Sequence, residues 1–216
     1  MRGLCRPLLG VRVCLPRLSI GFDLDMTLID SAAAFEAVLD ALSVETGVFI
    51  DSSAAAGRLG PPIEEELANW FPEPQVADAV QRYRKLYPQH GMLHLSALSG
   101  AHEAVSAVHA HGGRVIVITG KAPAIAEQCL RQVELEADLV FGSVFGAAKG
   151  TAIRENEVSV YVGDHPADVI GAQTGGATPV GVATGAFDMD DLRRAGAAAV
   201  LQDLSDFPVW LNTYLQ

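Results

Sequence analysis

Basic residues are in short supply. The 216-residue chain carries 15 Lys and Arg against 26 Asp and Glu, a formal net charge of −11. Nonspecific nucleic-acid binding needs a basic surface, so that class is excluded. Any anionic ligand must be drawn in locally, by a metal ion or a few placed cations. Long apolar runs are missing too. None reaches the roughly 18 residues that a membrane helix needs, so no membrane partner is expected. Cysteine is sparse: Cys5, Cys14 and Cys129 are odd in number and widely spaced. That argues against a disulfide framework and against a metal-like pattern. Reduced thiols in a cytoplasmic protein are the expectation. His90, His94, His102, His109 and His111 also lack metal-ligand spacing. There is no internal repeat and no low-complexity segment.

What is present is enough apolar material for a large core, half of all residues. Residues 1–17 hold Arg2, Arg6, Arg12 and Arg17 and no acid. Pro7, Arg12 and Pro16 break any signal-like apolar stretch, so a poorly ordered extension is expected there. From residue 99 onward two kinds of segment alternate. Arg114–Thr119, Leu139–Phe141, Val158–Val162 and Pro179–Val182 read as buried parallel strands. Between them lie helical stretches. Pro123 suits a first helical turn, and Gly112-Gly113 and Gly175-Gly176 close the helices begun near Gly100 and Pro166. Strand and helix in alternation predict an α/β fold with a parallel sheet.

Residues 31–98 differ. Phe35, Val38, Leu39 and Leu42 recur at helix spacing. So do Ile63, Leu67, Trp70 and Phe71, and then Val76, Val80, Tyr83 and Tyr87. The loop RLGPP, residues 58–62, separates the first two of these helices. The aromatic residues at this spacing are expected to pack a helical core. A helical block therefore interrupts the α/β unit just after its first strand. The expected division is 18–30 with 99–216 as the core and 31–98 as the insert.

That first strand ends oddly. The stretch GFDLDMTLID, residues 21–30, places Asp23 and Asp25 two apart, where they repel each other. In open parallel sheets, sites form beyond the carboxyl ends of the strands. Thr119 and Gly120 end RVIVIT, Asp164 follows VSVYV, and Lys149 opens a helical stretch in GAAKG. Singly these are caps, turn residues or solvated charges. As a set they point to chemistry.

The set resembles the haloacid dehalogenase (HAD) superfamily, in its phosphatase branch, over residues 18–210. The Asp-x-Asp-x-Thr motif stands as Asp23-Leu24-Asp25-Met26-Thr27. The Ser/Thr ending a hydrophobic strand is Thr119, the lysine is Lys149, and GDHPAD supplies Asp164 and Asp168. Met26 stands where glycine is usual, and His165 where Ser or Thr is usual. The resemblance implies a three-layer Rossmann-like core with a small helical cap, like that of phosphoglycolate phosphatases. It implies Mg²⁺, held by Asp23, Asp164, the Asp25 carbonyl and Asp168, which orients or completes the shell. Asp23 would be the phosphoryl acceptor and Asp25 the acid and base. Thr119, Gly120 and Lys149 would bind the phosphoryl group. A cap favours a small phosphorylated metabolite, with phosphoglycolate the first guess and Arg58 in the RLGPP loop the expected anionic handle. A monomer or homodimer is expected. Asp25 argues against a dehalogenase. A sugar phosphomutase of the same branch and a HAD-fold binding protein without turnover stay open.

Overall fold

The computed structural model describes residues 18–216 and, before them, the backbone of two short strands. These strands, Cys5–Leu8 (β1) and Val11–Cys14 (β2), pair antiparallel. The rest of the expected extension over residues 1–17 lies outside the described residues.

Ser19–Phe22 (β3) is buried at every position, the pattern of a central strand covered on both faces. A tight turn follows, in which the Leu24 carbonyl accepts the amides of Thr27, Leu28 and Ile29. The chain leaves through Ile29–Asp30 (β4) into four helices: Ala32–Thr46 (α1), Ser52–Ala56 (α2), Ile63–Leu67 (α3) and Glu73–His90 (α4). It returns through Ser96–Ala97 (β5), which pairs antiparallel with β4. The way into the helical insert and the way out thus lie side by side.

Helix α1 forms where expected, and Phe35, Val38, Leu39 and Leu42 are all buried. Helix α4 buries Val80, Tyr83 and Tyr87. Two details depart from the sequence reading. The helix from Ile63 stops at Leu67, and Trp70 and Phe71 lie in the turn that Pro72 forces before α4. The short α2 was not expected. Asp51 caps it by accepting the Ala54 amide at 3.0 Å.

The second half alternates as the sequence predicts, except that Leu139–Phe141 is an edge strand, exposed at Leu139 and half-buried beyond it, rather than a buried one. Ala101–Ala110 (α5), Arg114–Ile118 (β6), Pro123–Gln132 (α6), Leu139–Phe141 (β7) and Lys149–Glu155 (α7) come first. Val160–Gly163 (β8), Pro166–Gly175 (α8), Thr178–Val182 (β9), Met189–Ala195 (α9), Ala199–Leu201 (β10) and Phe207–Tyr214 (α10) follow. One sheet runs in the order β10-β9-β8-β3-β6-β7, parallel throughout. Strand β10 is three half-buried residues at the edge, too short to leave a pattern.

Successive strand residues feed two separate clusters. Val115 and Val117 of β6 join Ile20, Phe22, Val160 and Val162 under α5, α6 and α10. Ile116 and Ile118 join Tyr161, Ile153 and Ala172 under α7 and α8. This period of two gives helix, sheet, helix: a three-layer α/β core. Among the described residues no helix is long and apolar enough to cross a membrane.

Candidate active site

Strand β3 lies between β6 and β8, with Phe22 opposite both Val117 and Val162. Asp23, Thr119 and Asp164, each just past its strand, are therefore neighbours along the carboxyl edge of the sheet. The ladder continues into the site: the Asp23 amide donates to the Val162 carbonyl at 2.9 Å.

Lys149, at the start of α7, reaches this edge from below and is almost completely buried. Its Nζ donates to Asp168 Oδ1 at 2.6 Å and to the Tyr161 hydroxyl at 3.0 Å. The Tyr161 hydroxyl donates onward to the Ile118 carbonyl at 2.6 Å. Nζ also stands 2.9 Å from Asp23 Oδ1, so the one ammonium serves both Asp23 and Asp168. Asp164 Oδ1 accepts the Thr27 hydroxyl at 2.9 Å. Asp168 Oδ2 accepts the His165 amide at 3.2 Å. Gly163 has a steric reason to be glycine, because a Cβ there would overlap the Asp168 carboxylate.

Of the three buried carboxylates, Asp23 and Asp168 share the buried Lys149 ammonium, and Asp164 has the Thr27 hydroxyl instead. Burial, opposed by Lys149 and reinforced by Asp168, pushes the Asp23 carboxyl up to about 7. Asp164 is also raised, by burial first and then by Asp168 and Asp23. Lys149 is held well above the usual lysine range. Burial works against its charge, but Asp168 and Asp23 outweigh it. Oxygens of Asp23, Asp164 and Asp168 lie within 4.8 Å of one another. Hard oxygens from three carboxylates and an excess of negative charge over the single ammonium together fit a divalent cation such as Mg²⁺.

A narrow cavity of about 50 Å³ opens above this edge. Asp23, Asp25, Thr119, Gly120 and Lys121 form its floor; Phe35, Tyr83, Arg84, Tyr87 and the loop Leu59–Ile63 of the insert form its roof. Tyr83 and Tyr87 thus do two jobs, packing the insert as expected and walling the cavity. Arg58 does not reach it. Its Nε and Nη2 are both spent on Glu66, at 3.0 and 2.7 Å, while Trp70 Nε1 donates to the same carboxylate at 2.8 Å. The cation that the insert brings to the cavity is Arg84.

Lys121 is the second residue that the sequence reading missed. Its Nζ pairs with Asp25 Oδ1 at 2.6 Å and lies over the Tyr87 ring, 4.7 Å from the centroid. Burial opposes its charge, but Asp25 raises its proton affinity above the ordinary lysine value. The available signal was its place two residues after Thr119, whose hydroxyl accepts the Lys121 amide at 3.1 Å.

Both unusual residues of the motifs have structural explanations. Met26 has φ +57°, a left-handed conformation that glycine adopts freely and that costs other residues about 1–2 kcal/mol. Its carbonyl accepts the Thr184 hydroxyl at 2.6 Å, and its amide donates to Ile29. His165 is the N-cap of α8. Its Nδ1 accepts the Ala167 amide at 2.9 Å, replacing the hydroxyl that Ser or Thr would offer. Burial lowers its proton affinity, which suits an accepting Nδ1.

A family model described as "Haloacid dehalogenase-like hydrolase" matches residues 20–182, from the strand before Asp23 to the end of β9. The chain belongs to this family. The haloacid dehalogenase-like fold is also found in solved structures. One is a haloacid dehalogenase-like family hydrolase from Streptococcus pneumoniae, with TM-score 0.77 and 22% identity, covering 93% of this chain and 99% of that one. A predicted phosphatase from Clostridium acetobutylicum gives 0.79 and 21%, over 91% and 99%. A predicted phosphoglycolate phosphatase from Haemophilus somnus gives 0.75 and 15%, over 93% and 98%. At these identities the likeness is one of fold. No curated protein matches the chain.

Proposed function

We propose that this haloacid dehalogenase-like hydrolase is a phosphatase for a small phosphate monoester. The observation that carries the reading is Asp23, a buried carboxylate at the end of the central strand, set beside Lys149 and the acids of the fourth motif and opening on the cavity. Dehalogenation needs no second acid beside the nucleophile, and here the Asp25 side chain faces the same cavity.

Asp23 attacks phosphorus, and the ester oxygen leaves as the aspartyl-phosphate forms. Asp25, across the cavity floor, passes to the leaving alcohol a proton drawn from the Lys121 ammonium that donates to it, and returns one taken from the water that cleaves the intermediate. Thr119 and the amides after β6 hold the phosphoryl oxygens, while Lys149 neutralises charge on Asp23. Mg²⁺ would be held by Asp23, Asp164 and the Asp25 carbonyl, and it supplies charge neutralisation between the carboxylate and the phosphate. Asp168 is a positioning residue, because its two oxygens are already engaged by Lys149 and the His165 amide. The insert acts as a cap whose roof keeps water from the site and limits leaving-group size.

The test is phosphate release from a panel of small esters, phosphoglycolate included, with and without Mg²⁺. Turnover that requires both the metal and Asp23 is expected, with Asp23→Asn inactive. Isomerised sugar phosphate without free phosphate would replace the phosphatase reading with a mutase.

A further inference from the structure

Tyr161 is almost completely closed to solvent and carries a hydroxyl that phenylalanine would not have to bury. Both hydrogen bonds of that hydroxyl have a fixed direction, because an ammonium only donates and a carbonyl only accepts. It takes a hydrogen from Lys149 Nζ at 3.0 Å and gives its own to the Ile118 carbonyl at 2.6 Å. Burial, opposed by Lys149, holds its proton affinity above the usual tyrosine range, so it keeps the hydrogen it donates.

The central strand makes way for this ring. Tyr161 of β8, Gly21 of β3 and Ile116 of β6 stand opposite one another across the sheet. Gly21 leaves that row without a side chain, and a Cβ there would meet Tyr161 Cδ2 at 2.6 Å. The ring lies over Gly21 and carries its hydroxyl across β3 to the last residue of β6, one position before Thr119. Glycine weakens a strand interior, so strand stability is given up to seat the ring.

Lys149 Nζ has three hydrogens and three oxygens beside it: Asp168 at 2.6 Å, Asp23 at 2.9 Å and Tyr161 at 3.0 Å. The Tyr161 oxygen is carried by a rigid ring and tied to the sheet backbone, which makes it the fixed point of the three. From this geometry we infer that Tyr161 is a positioning residue, which holds the Lys149 ammonium so that one hydrogen faces Asp23. Without the hydroxyl the flexible lysine stem follows the nearer carboxylate, Asp168, and leaves Asp23 less well neutralised. The inference rests on the phosphatase reading for its kinetic arm; the placing of Lys149 is read without turnover.

The test compares Tyr161→Phe with Ile116→Val, which trims the same apolar cluster and leaves the hydroxyl in place. The chain has three lysines, Lys85, Lys121 and Lys149, so isotopic labelling of lysine nitrogen gives few ammonium signals in magnetic resonance. In the Mg²⁺-loaded native chain the Lys149 ammonium should exchange with water far more slowly than that of exposed Lys85. Tyr161→Phe should speed this exchange about tenfold while Lys121 stays as it was. It should also lower kcat about tenfold to hundredfold with KM within about twofold, the mark of a nucleophile misplaced rather than of substrate lost. Ile116→Val should move neither readout. Fast exchange at Lys149 in the native chain, a Lys149 signal or a kcat that Tyr161→Phe leaves intact, a rise in KM in place of the fall in kcat, or an equal effect of Ile116→Val overturns the assignment. A moved Lys149 signal in a chain whose native form releases no phosphate from any ester keeps Tyr161 in its role and removes the phosphatase reading. Phosphate release with an unmoved signal does the reverse.

Discussion

Lys149 touches Asp23, Asp168 and Tyr161 from a position closed to solvent. Removing one partner of a buried ion pair costs about 3–5 kcal/mol, because the charge left behind has lost its solvent and its counter-ion. Lys149→Met leaves two acids facing each other and should lose stability on that scale in chelator, read by urea unfolding. Mg²⁺ should recover part of the loss, since a cation among the same oxygens replaces the missing charge. A loss below about 1 kcal/mol would mean that Lys149 does not organise the cluster. The sequence offered Lys149 only through its motif. Nothing in GAAKG says that the side chain is buried, because burial comes from α8 packing over α7. Lys121 shows the opposite failure. It stands two residues from Thr119, and nothing in its spacing distinguishes it until the fold sets Asp25 against it.

At the scale of elements, the site depends on how β8 hands over to α8. Gly163 ends the strand, Asp164 turns into the site, His165 caps the helix, and Asp168 folds back over Gly163. The spacing of GDHPAD encodes this, since a capping box needs its two partners three residues apart. In Gly163→Ala the added methyl meets the Asp168 carboxylate. Overpacking of this kind costs about 1–3 kcal/mol, and it pushes Asp168 off Lys149. Unfolding should shift by that amount, and turnover should fall far more steeply than stability does. Equal activity in the variant would show that Asp168 need not hold Lys149. The insert was legible as helices because α1 and α4 are long and periodic. The break after Leu67 was not legible, because Trp70 and Phe71 keep helical spacing while Pro72 ends the segment.

At the scale of the molecule, the buried acids of the core meet at one sheet edge: Asp23, Asp164 and Asp168. Asp23 is raised to about 7 and Asp164 is raised as well, both chiefly by burial. For a carboxyl raised above its unfolded value near 3.8, the stabilising contribution is complete below that value and is lost as pH rises through the folded one. The metal-free chain should therefore lose melting temperature between pH 5 and pH 8 through this site. Mg²⁺ binds the ionised oxygens, so the gain on adding it should be larger at pH 8 than at pH 5. Differential scanning fluorimetry with Mg²⁺ or chelator checks both statements. A metal-induced shift that is the same at both pH values would show that these carboxyls do not hold the ion.

The sequence by itself determined the α/β alternation, the parallel sheet, the helices between the first two sheet strands and the acids at the strand ends. All of these follow from local pattern: strand runs, helix periods, glycine stops and motif spacing. Only the tertiary structure decided which cation serves which acid. Arg58, in the loop nearest the motif, is turned to Glu66, while Arg84, in the middle of a long helix, faces the cavity. Both are arginines on the insert, and no spacing separates them. The choice was made by the direction in which α4 packs over the sheet edge, and that direction is a property of contacts far apart in the chain.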